Sequence, residues 1–239
     1  MKVNYTDMLA EFGIGSAHPG GFSKTKQMMM EIDIQETMTI LECGCGTGQT
    51  AAYLQQLYDC NVIAVEAHPM MAAKAKQRFA QNQLPIVLLQ EKIESMPLGN
   101  ESVDLAVAES VLSFCQLDQA ISEILRVLRQ GSLMYANELI CTESLRPEEK
   151  NQLSSIYGFT SLFTESEWKK TLLGLGFASV VITGQTSASQ LQHDDGDKGN
   201  DMMPSPSISP TSFATLQSHQ QTMNLFGDKI GHALIKATK

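Results

Sequence analysis

Short apolar runs alternate along most of the chain with stretches whose apolar residues recur at helical spacing. Strands are predicted at 38–41, 61–65, 85–89, 103–108, 132–138, 178–182 and 232–236. Helices are predicted at 49–58, 69–83, 117–129, 147–157, 165–175 and 213–226. Alternation of this kind is typical of βαβ units, so the pattern predicts an α/β protein with a mainly parallel sheet.

The strongest local signal lies where the first predicted strand meets the first of these helices. The run from Leu41 to Gly48 reads LECGCGTG, with a glycine at every second position after Cys43. Glycine permits close approach of the backbone to a ligand, and a helix amino terminus offers free N–H groups. A purely structural tight turn is the alternative interpretation. The position of the run at the carboxyl end of a strand favours a ligand-binding loop.

An acidic residue follows the second predicted strand at a spacing seen in nucleotide-binding folds. Glu66 lies 18 residues beyond Gly48, where a carboxylate can accept hydrogen bonds from the two hydroxyls of a ribose. Two cofactors compete for this pair of features. Gly46-x-Gly48-x-x-Ala51 fits the dinucleotide fingerprint, which would indicate a nicotinamide-dependent oxidoreductase.

Glu42 followed by Gly44-x-Gly46-x-Gly48 instead resembles the first motif of class I S-adenosylmethionine-dependent methyltransferases. Three further segments resemble that family in the same order: 90–104 at the third and fourth strands, 124–133 at its "RVLRPGG" turn, and Gly176-Phe177 before its last two strands. The resemblance covers residues 35–185 and 230–239. Because four motifs agree in order, it favours the methyltransferase over the dinucleotide enzyme.

The resemblance implies a Rossmann-like, seven-stranded, mainly parallel sheet with an antiparallel last strand and helices on both faces. It also implies S-adenosylmethionine as cofactor, a small-molecule methyl acceptor and release of S-adenosylhomocysteine. The cofactor contacts it implies are Glu42, Gly44, Cys45, Gly46, Gly48, Glu66, Ala67, His68, Lys92, Ile93 and Glu109. Glu42 and the glycines would hold the methionine part, and Glu66 the ribose. Lys92, where the family often has Asp, and Ile93 would flank the adenine.

Two segments are candidates for the acceptor side and supply the predicted catalytic residues, His18 and Glu109. His18 begins a His-Pro-Gly-Gly turn that resembles an element of some small-molecule members of the family; a turn that begins a helix is the alternative. Glu109 follows the fourth predicted strand, where a carboxylate could assist an acceptor; a helix-capping role is the alternative. The segment 108–111 lacks the Asn/Asp-Pro-Pro-Tyr/Phe of enzymes that methylate bases or glutamine.

Composition excludes other partners. With 17 Lys and Arg against 26 Asp and Glu, the net charge of −9 disfavours nucleic acid. No apolar run reaches the roughly 18 residues of a membrane span, and the first seven residues lack the apolar core of a signal peptide. Five cysteines without a C-x-x-C pair predict reduced thiols in the cytoplasm, with no metal site and no thiol set for arsenic methylation.

We expect one domain over 1–239, with 1–34 as an acceptor-side or lid segment and 187–229 as an insertion between the last two strands. Residues 187–211 are polar, acidic and proline-rich, and predict a solvated loop. Residues 213–226 predict a helix docked on the sheet or near the acceptor entrance. A monomer or homodimer is expected. A non-enzymatic module that binds the cofactor without an acceptor site remains a rival function.

Overall fold

The computed structural model describes residues 4–142, 144–191 and 201–239. Within them, seven strands form one sheet in the order β3-β2-β1-β4-β5-β7-β6. The strands are β1 (Thr39–Cys43), β2 (Asn61–Val65), β3 (Val87–Leu89), β4 (Val103–Glu109), β5 (Leu128–Cys141), β6 (Ser179–Ser187) and β7 (Ile230–Thr238). β7 is antiparallel to both of its neighbours, whereas β1 to β5 pair in parallel. The predicted fold class is confirmed.

Nine helices accompany the sheet in the part of the chain that the structure describes. They are α1 (Tyr5–Phe12), α2 (Gly21–Met30), α3 (Gln49–Tyr58), α4 (Pro69–Gln81), α5 (Leu117–Val127), α6 (Pro147–Tyr157), α7 (Glu165–Gly174), α8 (Ala188–Leu191) and α9 (Pro210–Phe226), together with a 3-10 turn (Leu112–Phe114). Proline occupies the first turn of α4, α6 and α9, where its missing N–H costs no hydrogen bond. The helix predicted over 117–129 is wrong at its last two residues, because Leu128 already pairs with Val103 in the sheet.

The sheet separates two hydrophobic layers, as the strand pleat requires. Ile40 packs with α2, α3 and α4 on one face, while the next residue, Leu41, packs with α5 and α7 on the other. α5 contributes Ile121 and Ile124 to that second layer, and both are fully buried. Helices therefore cover both faces of the sheet, and the carboxyl ends of its parallel strands lie together at one edge.

Part of the predicted solvated loop is instead a paired segment. We call residues 201–205 the strap. Its backbone runs beside the end of α1: Gly15 N donates to Asp201 O at 2.8 Å, and Met203 N donates to Gly13 O at 2.8 Å. The predicted solvated loop over 187–211 is therefore wrong for residues 201–205. These residues pair through backbone N–H and C=O groups, which the pattern of apolar side chains does not reveal. Residues 192–200 lie outside the described residues.

Two basic side chains of α4 hold the strap in place. Lys74 Nζ donates to Ala10 O at 2.6 Å and to Met203 O at 2.5 Å. Arg78 Nη2 donates to Asp201 Oδ2 at 2.6 Å. The predicted helix 213–226 is also confirmed, as α9, and it packs against α1. α1, the strap, α9 and α4 therefore form one covering layer.

The five cysteines are buried, and none of them forms a disulfide. Among the described residues no helix combines the length and apolarity that a bilayer crossing requires.

Lys74→Met is expected to lower the free energy of unfolding by about 1.5–3 kcal/mol, because removal of the buried ammonium leaves its carbonyl partners without a donor. Urea denaturation followed by circular dichroism measures this loss. Lys76→Met, at an exposed position of the same helix, is the control and should change stability little. An equal effect of the two substitutions would contradict the clamp.

Candidate active site

A cavity of about 960 Å³ lies at the carboxyl ends of β1, β2, β3 and β4 and is walled by α1 and α9. The cavity brings together most of the residues that the sequence singled out. Its lining includes His18, Glu42, Gly44, Cys45, Gly46, Glu66, Ala67, His68, Lys92, Ile93 and Glu109. Gly48 is the one predicted residue outside this lining.

The glycine loop after β1 is held against the end of β2. Gly44 N and Cys45 N both donate to Val65 O, each at 2.9 Å. Gly44 has φ of 72°, and a Cβ there would lie 2.5 Å from a methyl carbon of Val111. Only glycine fits this position, because both the conformation and the space exclude a side chain.

Gly48 serves packing in this structure. It precedes α3 with φ of 78°, and a Cβ at this residue would lie 2.6 Å from the Phe79 ring of α4. Close approach of α3 to α4 therefore requires glycine here, and the role of Gly48 as a cofactor contact stays a prediction.

Glu66 joins the glycine loop to the start of α4. Its Oε2 accepts from Gly46 N at 2.8 Å, and its Oε1 accepts from His68 N at 2.7 Å. Burial raises the pKa of Glu66, although the two backbone donors favour the charged form. Each carboxylate oxygen has a second lone pair, so the side chain can still accept hydrogen bonds from ligand hydroxyls.

The loop is surrounded by polar atoms without a protein partner. Within the described residues, Glu42 Oε2, Thr47 Oγ1 and Ser110 Oγ are buried and make no hydrogen bond. The pKa of Glu42 is raised well above its ordinary value by burial, and next by the nearby charges of Glu109 and Glu66. This part of the cavity therefore suits a polar ligand that carries positive charge.

The structure brings His18 and Glu109 together. Glu109 accepts from Thr25 Oγ1 at 2.7 Å and from Thr50 Oγ1 at 2.9 Å, and His18 Nε2 lies 3.4 Å from its Oε1. Thr25 belongs to α2 and Thr50 to α3, so the carboxylate links two helices. Each carboxylate oxygen of Glu109 therefore already accepts a hydrogen bond from a threonine hydroxyl.

A buried pair on β5 and β7 orients the other side of His18. His232 Nδ1 donates to Asn137 Oδ1 at 2.6 Å, and the Asn137 amide donates to Pro19 O at 2.9 Å while lying 3.3 Å from His18 Nδ1. Burial lowers the pKa of His232 to about 4, so its ring is neutral. Sequence reasoning missed this pair; its signal was a polar residue inside each of two apolar strands.

Aromatic side chains form another wall of the cavity, which sequence reasoning also missed. We call Tyr5, Phe114, Tyr157, Phe159 and His219 the aromatic wall; all five line the cavity. Ring centroids lie 4.9 Å apart for Tyr5 and Tyr157, and 5.0 Å apart for both Tyr157–Phe159 and Phe114–Phe159. These residues come from separate parts of the chain, so no local pattern announces them.

Comparison with known proteins identifies the family. The family model described as "Methyltransferase domain" matches residues 41–136. An uncharacterized methyltransferase of Bacillus subtilis, YodH, is 38% identical over 237 residues, which cover 98% of this chain and 99% of that protein. An O-methyltransferase of Pyrenophora dematioidea is 26% identical over 196 residues, covering 74% and 73% of the two chains.

Solved structures agree on the fold. Phosphoethanolamine N-methyltransferase 2 of Haemonchus contortus, in complex with S-adenosyl-L-methionine, superposes with a TM-score of 0.78 at 16% identity. The match covers 98% of this chain and 57% of that one. The oxidoreductase alternative is not supported, because the family model and the relatives are methyltransferases. The chain belongs to the class I S-adenosylmethionine-dependent methyltransferases and is an enzyme that uses this cofactor.

Proposed function

We propose that this enzyme transfers the methyl group of S-adenosylmethionine to a small-molecule acceptor bound within the cavity. The observation that carries the proposal is that one cavity of about 960 Å³ contains both the glycine loop and the aromatic wall. This volume is at the upper end of small-molecule sites, about 300–1,000 Å³, which suits a cofactor with a second small ligand beside it.

The glycine-loop side of the cavity fits the cofactor. S-adenosylmethionine supplies a methyl group on a positively charged sulfur, which is already an activated leaving group. Glu42, with its unpartnered Oε2, would bind the methionine part together with the backbone of Gly44, Cys45 and Gly46. The concentration of carboxylates here complements the positive charge of the ligand.

The β2 and β3 ends would hold the nucleoside. Glu66, with Ala67 and His68 beside it, would accept from the ribose hydroxyls through its remaining lone pairs. Lys92 and Ile93 follow β3 and would flank the adenine. These contacts are the ones that the sequence resemblance implies, apart from Gly48 and Glu109.

The aromatic wall would hold the acceptor. It belongs to α1, the 3-10 turn, α6, the residues after it and α9, and Leu139 of β5 and Ile230 of β7 line the same cavity. In the sheet order, β5 and β7 lie on the opposite side of β1 from β2 and β3. Acceptor and nucleoside would therefore occupy opposite ends. Correct positioning of two reactants alone can lower a barrier by about 7–11 kcal/mol.

His18 and Glu109 already make hydrogen bonds to protein groups, which favours a positioning role for both residues. Both ring nitrogens of His18 face protein groups, and Glu109 accepts two threonine hydroxyls. Together they would hold the His-Pro-Gly-Gly turn, including Pro19 and Gly20, against the cavity. Residues 1–34 and 187–229 would then act as its cover.

The wider setting is also proposed. Five cysteines that form no disulfide support a cytoplasmic location, and the net charge of −9 argues against nucleic acid as a partner. A monomer or homodimer is consistent with a site built from one chain. The O-methyltransferase of Pyrenophora dematioidea, named for transfer to oxygen, supports an oxygen acceptor here.

Methyl-labelled S-adenosylmethionine incubated with a metabolite extract tests the function. We expect the enzyme to label a small molecule, which mass spectrometry of the filtrate below a few kilodaltons identifies. Label found only in protein or nucleic acid would overturn the proposed acceptor class. Cofactor binding without any labelled product would favour the rival, non-enzymatic module.

Glu66→Ala is expected to weaken binding of S-adenosylhomocysteine by about 1.5–3 kcal/mol, because charge-assisted hydrogen bonds to the ribose are lost. Isothermal titration calorimetry measures the change, and circular dichroism checks that the variant is folded. The exposed Glu36→Ala serves as control and should bind normally. Unchanged affinity in folded Glu66→Ala would refute the ribose assignment.

His18→Ala and Glu109→Gln are expected to lower kcat by about 10-fold or more, because the turn beside the acceptor loses its hydrogen bonds. Affinity for S-adenosylhomocysteine should stay within about twofold of wild type, since both residues act on the acceptor side. Turnover of the labelled product from the extract and calorimetry give the two numbers. A matched loss of turnover and cofactor affinity would assign the pair to cofactor binding or folding.

A further inference from the structure

Among the described residues, three histidines line the cavity: His18, His68 and His219. Methyl transfer to a hydroxyl needs a group that removes its proton, and neutral imidazole is the usual one at neutral pH. The hydrogen bonds of the three imidazole rings restrict which ring nitrogen can face an acceptor. The inference that follows rests on the proposed function.

Neither His18 nor His68 is placed to act on an acceptor at the aromatic wall. His18 Nδ1 faces the Asn137 amide at 3.3 Å, and its Nε2 lies 3.2 Å from Thr25 Oγ1. His68 Nε2 lies 3.0 Å from Asp7 Oδ1, so it carries the proton of a charge-assisted hydrogen bond. The other nitrogen of His68 is buried without a partner, but His68 lies beside Glu66 at the end of the cavity proposed for the nucleoside, opposite the acceptor.

Tyr157 holds one ring nitrogen of His219. His219 Nδ1 lies 2.9 Å from the Tyr157 hydroxyl. A phenol hydroxyl can accept a hydrogen bond as well as donate one. In the tautomer whose Nδ1 donates to Tyr157, His219 Nε2 keeps its lone pair.

The surroundings keep this imidazole neutral. Burial lowers the pKa of His219. The titratable groups packed against the ring are Tyr5 of α1 and Tyr157 of α6, with centroids at 5.4 Å and 5.7 Å. Burial raises the pKa of Tyr5 to about 12 and also raises that of Tyr157, so neither is charged near neutral pH. The carboxylate of Glu11, which belongs to α1, accepts a hydrogen bond from Ser209 N at 2.7 Å, at the start of α9 and away from His219.

The charges of the lining restrict the acceptor. Of the described residues that line the cavity, Lys92 alone is a lysine or arginine, and it lies after β3. The acidic residues of the lining are Glu42, Glu66, Glu91, Glu94 and Glu109. A carboxylate or phosphate on the acceptor would meet repulsion without a paired cation. The aromatic wall, in contrast, favours a planar aromatic molecule.

We propose that the acceptor is an uncharged hydroxylated aromatic molecule and that His219 is the catalytic residue that removes its proton, with Tyr157 as the positioning residue. The acceptor O–H gives its proton to His219 Nε2, and the oxygen forms a bond to the methyl carbon. The bond between that carbon and the sulfonium sulfur breaks, its electron pair stays on sulfur, and S-adenosylhomocysteine leaves. His219 then releases the proton to solvent.

The test uses 2-naphthol as probe and 2-naphthoate, which carries a carboxylate in place of the hydroxyl, as its matched counterpart. Mass spectrometry detects methylated product for wild type, His219→Gln, Tyr157→Phe and Gln221→Ala, a control at an exposed position of α9 outside the cavity lining. Calorimetry measures binding of both probes to the complex with S-adenosylhomocysteine. The kcat of wild type, His219→Gln and Tyr157→Phe is followed from pH 5 to 9.

We expect wild type to bind and methylate 2-naphthol and to bind 2-naphthoate at least about 10-fold more weakly. His219→Gln should lower kcat about 100-fold with little change in KM or in cofactor affinity, the loss typical of a removed general base. Wild-type kcat should rise with pH through a midpoint below 6.5 and then level off, and His219→Gln should lose that rise. Tyr157→Phe should lower kcat about 10-fold and move the midpoint, and Gln221→Ala should match wild type.

Three results would overturn the inference: tighter binding of 2-naphthoate, no methylation of 2-naphthol, or a His219→Gln variant with wild-type kcat and pH profile. A failure here leaves the proposed function standing if the enzyme still labels another small molecule in the extract. Label confined to macromolecules would overturn both.

Discussion

The shape of the glycine loop depends on Val65, the last residue of β2, and on Glu66, which follows it. Val65 O accepts from Gly44 N and Cys45 N, and the Glu66 carboxylate accepts from Gly46 N and His68 N. Four backbone donors that would otherwise be orphaned at a sharp turn are satisfied this way. The loop is thus shaped before any ligand arrives, which lowers the ordering cost of binding.

The carboxylates around that loop give the site its electrostatic character. Burial raises the pKa of Glu42, and the nearby charges of Glu109 and Glu66 raise it further. A cofactor with a positive sulfur relieves this repulsion, whereas the neutral-sulfur product relieves it less. The same negative surroundings underlie the proposal of an uncharged acceptor, so one arrangement of charge bears on both ligands.

The cover of the cavity is assembled from distant parts of the chain. α1 and α9 pack together, and Lys74 and Arg78 of α4 attach the strap to them. The aromatic wall depends on this assembly, because Tyr5, Tyr157 and His219 come into contact only when α1, α6 and α9 are packed together. The proposed acceptor end of the cavity is therefore coupled to the order of this cover.

The sequence by itself determined the sheet, its helices, the glycine loop and the cofactor, because hydrophobic periodicity and short motifs are local properties that survive without knowledge of contacts. It also predicted that His18 and Glu109 belong to the site. Only the tertiary structure decided that Gly48 packs on Phe79, that residues 201–205 pair with the end of α1, and that Asn137 with His232 orients His18. Each of these depends on backbone or side-chain partners far away in the chain, and no local pattern encodes which distant groups will meet.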